Sequence, residues 1–293
     1  MRSSEWIQSG FATLLAIAAW VYPIAPRRRL TITLLAACAV VVVALARVSE
    51  YVLAPVQASI LRDWLPVPLM LIPYWQTGQF FKGPNEKIQA RLMEIDRGLF
   101  DLMSRLGWTL GGFARLTLEW AYMLCYPLVP LGLATLYAAG LRRYANTFWF
   151  FVLVPTYLCY AITPFVPALP PRSIGSARTD PSSMKSRVLR NSRVFNLWIL
   201  KHGSIQAISF PSAHVASALA VSLVLLHYVP IAGIVFLVIA FWIAVAAVVG
   251  GQHYMIDVVL GAAIALALDL AWRAHLIPST VFTAPAIALV ALL

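Results

Sequence analysis

Of the five histidines in the 293-residue chain, two sit in segments whose residue types are suited to chemistry on an anion. Ser209-Phe210-Pro211-Ser212-Ala213-His214 reads as the opening of a helix, with proline before the first turn and Ser212 as the cap. The N–H groups of that turn, Ala213 among them, point at whatever approaches and form an anion site. Further along, Gly250-Gly251-Gln252-His253-Tyr254-Met255-Ile256-Asp257 opens a second helix, and the spacing of His253 and Asp257 puts imidazole and carboxylate on one face. A carboxylate held against one ring nitrogen fixes the tautomer and raises the basicity of the other nitrogen, which suits a nucleophile. His214 is left for proton transfer. Gly250 and Gly251 leave room for a substrate phosphate or another stretch of backbone to come close.

The elements that must position these groups lie in a bilayer. Hydrophobic residues make up 61% of the chain and charged residues 11%, where a soluble domain runs about 45–50% and about 25%. A water-soluble globule is excluded, and the expected class is an all-α polytopic transmembrane helical bundle of about seven to eight spans. Residues 1–83 hold a hairpin, 11–25 and 30–46, and a third apolar stretch, 65–81, which Pro66, Pro68 and Pro73 interrupt so that it either spans or dips in and returns. Within 84–112, charges alternate with Ile88, Leu92, Ile95, Leu99, Phe100 and Met103 at helical spacing, which predicts an interfacial amphipathic helix. A core over 113–275 follows, with apolar segments at 113–139, 145–167, 207–228, 231–249 and 254–274. The tail, 276–293, is apolar but short.

Parity through those five segments puts Pro170-Pro171-Arg172, Ser209–His214 and Gln252-His253 on one membrane face. The net charge of +11 is then concentrated in loops, as topology signals, headgroup contacts or phosphate ligands rather than a nucleic-acid surface. The polar loop 168–206 is strongly basic, and Arg178, Arg187, Arg190 and Arg193 make it either a lipid-surface segment or a lid over a phosphate. His202 lies in it. Glu119, four residues from Arg115, reads as an interfacial ion pair, with a substrate-positioning role as the sharper alternative. Asp269 with Arg273, and His227 and His275 at helix ends, read as structural. Cys38, Cys125 and Cys159 lie in apolar runs without the spacing of a disulfide framework or a zinc site.

The pattern Phe-Pro-Ser-Ala-His (210–214), then Gly-Gln-His-Tyr-Met-Ile-Asp (251–257), with Pro-Pro-Arg (170–172) upstream, resembles the type 2 phosphatidic acid phosphatase superfamily over about 113–275. Within it the likeness is greatest to the inositol phosphorylceramide synthase branch. The resemblance implies a six-helix-type catalytic core. It also implies that His253 attacks phosphorus to give a phosphohistidine, Asp257 orients it, and His214 protonates the leaving oxygen. Arg172, Ser212, Ala213 and Gly251 would hold phosphoryl oxygens, with no metal and no cofactor. Phosphatase members carry a Lys and an Arg where this chain has Phe165 and Ala247. Losing two cations penalises a phosphomonoester dianion more than a phosphodiester monoanion.

The expected activity is therefore transfer of a phospho-headgroup, inositol-phosphate-like, from a phospholipid to a lipid alcohol. A lipid phosphatase acting on phosphatidate or a polyprenyl (pyro)phosphate is the alternative, and a noncatalytic transporter or scaffold a second one. The partners expected are the lipid substrate and the bilayer, with no nucleic acid. Lys and Arg counts favour a cytoplasmic site, whereas the resemblance favours the extracytoplasmic face of the cell membrane, which is the reading adopted.

Overall fold

The computed structural model describes residues 1–105, 111–174, 187–203, 205, 207–208 and 210–277. Every regular element among them is helical. An N-terminal group comprises α1 (Ser3–Val21), α2 (Pro26–Val52), α3 (Pro55–Trp64), α4 (Pro66–Leu69) and α5 (Leu71–Gly78). Next come α6 (Glu86–Arg105), α7 (Gly112–Met123), α8 (Leu128–Ala138), α9 (Ala145–Ile162) and α10 (Arg187–Gly203). The last three are α11 (Ala213–Tyr228), α12 (Pro230–Val249) and α13 (Met255–Arg273).

Among the described residues, four helices are long and apolar enough to cross a membrane: Pro26–Val52, Arg142–Phe165 with its flanking 3-10 turns, Pro230–Val249 and Met255–Arg273. A fifth span is counted if α7 and α8 are one crossing. This is a polytopic helical bundle. The stretch expected as one span over 113–139 is broken, with a 71° bend between its halves. Its physical cause is Pro127, which has no N–H to continue the ladder and becomes the residue before α8. The segment expected over 207–228 becomes helical only at Ala213, so α11, at 16 residues, is a short apolar helix. The 65–81 stretch resolves into α4 and α5, each opened or interrupted by the prolines that made it ambiguous.

α11 lies at the centre, packed on α8, α9, α12 and α13. Its core is aromatic on the α9 side, where Phe148, Trp149, Phe151 and Val152 meet Ala216, Val221 and Val224. On the α12 side small residues dominate: Ala218 faces Ala240, Ile243 and Ala247. Helices without a water-driven force between them associate through such close packing. The N-terminal group docks on α9 through α1, where Phe11 stacks on Tyr157 at 4.7 Å.

The bundle has two polar ends. At one, Asp63 accepts from Arg2, from Tyr137 (2.6 Å) and from Arg142 (2.8 Å), while Trp149 Nε1 donates to its carbonyl (2.7 Å). Arg62 beside it pairs with Glu5 (2.6 Å) and Glu50. At the other end lie the C-termini of α5, α9 and α12, the N-termini of α11 and α13, and the helix α6. This is the end that carries His214 and His253.

Candidate active site

The Phe210–Ser212 segment is fastened on three sides. Phe210 N donates to Thr163 Oγ1 (3.2 Å) at the end of α9, and Ile208 N to Ala168 O (3.0 Å). Ser212 caps α11, its Oγ accepting from Val215 N at 3.4 Å, while its own N–H donates to Asp257 O (3.0 Å) on α13. Gly261 permits that approach, since a Cβ there would lie 2.4 Å from the Ser212 carbonyl oxygen. The first turn of α11, starting at Ala213, is thereby aimed at the start of α13.

The segment that carries His253 is a tight turn after α12. Gly251 takes a positive φ of 67°, which a side chain would resist. Gln252 N (2.8 Å) and His253 N (3.0 Å) both donate to Ala247 O, and Gly251 N donates to Val248 O (3.1 Å). The glycines admit another stretch of backbone: Arg172 N donates to Gly251 O at 2.9 Å. His253 Nδ1 then lies 3.2 Å from Asp257 Oδ2, which also accepts from Tyr254 N at 3.2 Å. Both side chains are buried. Burial first, and then the Arg172 guanidinium, hold His253 well below the usual imidazole range, so the ring is neutral at pH 7.

His214 faces His253, with ring centroids 5.8 Å apart and planes at 66°. Tyr122 in the last turn of α7 and Tyr126 at the bend after it flank its ring at 6.1 and 6.0 Å. His214 Nδ1 is buried and has no hydrogen-bond partner among the described residues. Arg172 Nη1 donates to Gln252 Oε1 at 2.6 Å, so its guanidinium is held beside the turn that carries His253.

Besides Arg172, one more basic side chain among the described residues of the 168–206 segment reaches this place. The segment, expected to be a loop, contains α10. From it Arg193, only 1% exposed, donates through Nη2 to Gly250 O (2.8 Å) and through Nη1 to Glu119 Oε1 (3.1 Å). Asn196 Nδ2 donates to Glu119 Oε2 (2.9 Å). Glu119 thus pairs with Arg193, not with its helical neighbour Arg115, which is exposed. Arg187 and Arg190 are exposed on α10, and Arg178 and the side chain of His202 lie outside the described residues.

α6 packs against the start of α13 and the segments leading to Arg172 and Phe210. Asp96 Oδ1 accepts from Met255 N at 2.9 Å, at the first turn of α13. Gln89 takes Leu169 N on its Oε1 (2.8 Å) and donates to Tyr254 Oη. Leu92 packs with Ala168, Ile208, Phe210 and Tyr254. Among the described residues no group of three His, Cys, Asp or Glu side chains is placed to hold a metal ion.

A family model described as the PAP2 superfamily matches residues 90–271, well over half the chain. The chain belongs to the PAP2 superfamily. Its members are phosphatases and phosphotransferases acting on lipid-like phosphates. No curated protein and no solved structure matches the chain. In this PAP2 protein the match begins within α6 and ends within α13, so the N-terminal group lies outside it.

The two positions that the sequence reading set against cations, Phe165 and Ala247, have different surroundings. Phe165 is 74% exposed, while Ala247 is fully buried among Ile243, Val248 and Val258. Other site contributors went unread in the sequence. Gln252 lay inside the motif without an assigned partner; Tyr122, Tyr126, Asn196, Asp96 and Gln89 come from distant elements, and only tertiary packing brings them in. Asp269 and Arg273 form the local pair expected, at 2.7 Å.

Proposed function

We propose that this PAP2 protein is a phosphotransferase that moves a phospho-headgroup from a lipid phosphodiester to a lipid alcohol, nearest in kind to the inositol phosphorylceramide synthases. His253 Nε2 attacks phosphorus while Nδ1–H donates to Asp257, and the P–O bond to the leaving alcohol breaks. His214, protonated from solvent when the anionic substrate binds beside it, gives that alkoxide its proton and so becomes the base that deprotonates the incoming alcohol. Attack of the alcohol on the phosphohistidine breaks the P–N bond and returns His253 to its neutral form. Arg172, the Ser212 hydroxyl and the Ala213 N–H of the α11 turn hold the non-bridging oxygens, the Ser212 N–H being committed to Asp257 O. Gly251 serves mainly by geometry, because its N–H is committed to Val248 O and its carbonyl to Arg172.

The observation that carries the reading is Ala247. It is completely buried beneath the nucleophile's turn, so the site has neither the cation nor the space for one where a phosphomonoester would want it. Arg193, approaching Gly250 O from α10, is the observation that favours the alternative of a lipid phosphate phosphatase. The extracytoplasmic face of the membrane is proposed for the site.

Purified protein incubated with a panel of labelled phospholipids and lipid alcohols separates the two readings. A new phosphorylated lipid with no release of inorganic phosphate is the expected result. Efficient hydrolysis of phosphatidate, with phosphate released and no transfer to any alcohol, would sink the transferase reading and promote the phosphatase.

A further inference from the structure

The nucleophile's turn is gripped by two arginines through successive carbonyls, Arg172 N on Gly251 O and Arg193 Nη2 on Gly250 O. Their charges differ in what surrounds them. Arg172 has a neutral partner, Gln252 Oε1. Arg193 is held against a carboxylate, with Glu119 at 3.1 Å, and Asn196 fixes the other oxygen of that carboxylate. Arg193 is 1% exposed, and its Nε has no hydrogen-bond partner among the described residues. A guanidinium so deeply buried, with one N–H unspent, is a costly feature unless the charge is used.

We infer that Glu119 is a specificity-determining residue: by neutralising Arg193 it sets the charge offered to a phosphoryl group at that of Arg172 alone, and so selects phosphodiester monoanions over phosphomonoester dianions. This rests on the transferase reading and supplies its charge balance. The position six residues before His253 cannot hold a cation, because Ala247 is sealed in the core. Arg193 reaches the same turn from α10, and Glu119 on α7 cancels it. The pair contributes no net charge, yet it keeps Gly250 and therefore the His253 turn in place. Removing only the carboxylate raises the potential at the phosphate, and a dianion gains twice what a monoanion gains. Removing only the guanidinium does the reverse, and removing both charges leaves the potential near its starting value.

The test uses full-length protein in detergent at pH 8 and two small probes, inorganic phosphate and dimethyl phosphate, with affinities read from the ligand-dependent rise in melting temperature. Glu119→Gln is expected to raise the ratio of phosphate to dimethyl phosphate affinity about tenfold. Arg193→Gln is expected to lower it, and Glu119→Gln with Arg193→Gln to return it to within about twofold of wild type. An unchanged ratio in folded Glu119→Gln protein would overturn the inference. If Glu119→Gln alone does not fold, the comparison of Arg193→Gln with the double variant decides, and equal losses in both would overturn it. The lipid panel is scored separately: a wild-type phosphatase refutes the transferase reading, whereas only these ratios refute the role of Glu119.

Discussion

At the scale of single residues, the proposed chemistry divides between two histidines that face each other across 5.8 Å. His253→Ala is expected to lower turnover by about 10⁴-fold or more while the protein still inserts and purifies, because in the proposed mechanism His253 forms the covalent intermediate. Near-normal activity of that variant with every substrate tried would remove His253 from the mechanism. His214→Ala is expected to cost about 10²–10⁴-fold with an alkyl phosphodiester and far less with an activated aryl one, whose leaving oxygen needs no proton. Equal losses would assign His214 to binding instead. The aryl substrate also isolates the ionisation of His253. Its neutral form is the nucleophile, and burial with Arg172 lowers its pKa, so the acid limb of kcat/KM should lie well below the ordinary imidazole value of about 6.5. An acid limb at or above that value would show that His253 is not held neutral.

At the scale of elements, what was legible in the sequence had a local cause. The amphipathic helix expected within 84–112 is α6, Glu86–Arg105, because alternation at helical period is written into consecutive residues. The Ser212 cap was readable for the same reason, and so was the pairing of His253 with Asp257 across one helical turn. The bend after α7 was written in Pro127 but hidden by the uniform hydrophobicity around it. Glu119 shows the limit of local rules: Arg115 stands at the right helical spacing, yet Arg193, far along the chain, takes the carboxylate because it is buried and Arg115 is not. α10 was lost among the basic residues of its segment. The contact between α11 and α13 was equally invisible, and it gives a sharp prediction. Gly261→Ala would normally favour a helix by about 1 kcal/mol, but here the added Cβ meets the Ser212 carbonyl, which cannot swing aside. Activity is expected to fall at least about tenfold through misplacement of the cap against Asp257, with a lower melting temperature. Unchanged activity in Gly261→Ala would mean that the α11–α13 spacing does not position the histidines.

At the scale of the whole molecule, the N-terminal group outside the family match supports the site from both ends of the bundle. At the site end, Tyr74 Oη accepts from Ile205 N at 2.8 Å, and a Cβ on Gly78 would lie 2.4 Å from Ile205 Cγ2, so α5 presses on the segment leading to Phe210. Arg28, at the start of α2, donates to Gln79 O (3.3 Å) and Phe81 O, which fixes the end of α5 in turn. At the opposite end Asp63 ties Arg2 to Tyr137 and Arg142, joining the N-terminal group to α8 and the start of α9. These two attachments do different work, and a substitution at the far end separates them. Asp63→Ala leaves two arginines without their carboxylate. Both are partly exposed, which reduces the penalty from that of a fully buried pair to about 1–3 kcal/mol. The apparent melting temperature in detergent should therefore drop by several degrees, while kcat measured well below the transition stays within about twofold, since the α5 contact at the site end is intact. Loss of kcat without loss of melting temperature would show instead that the Asp63 cluster communicates with the histidines through the bundle.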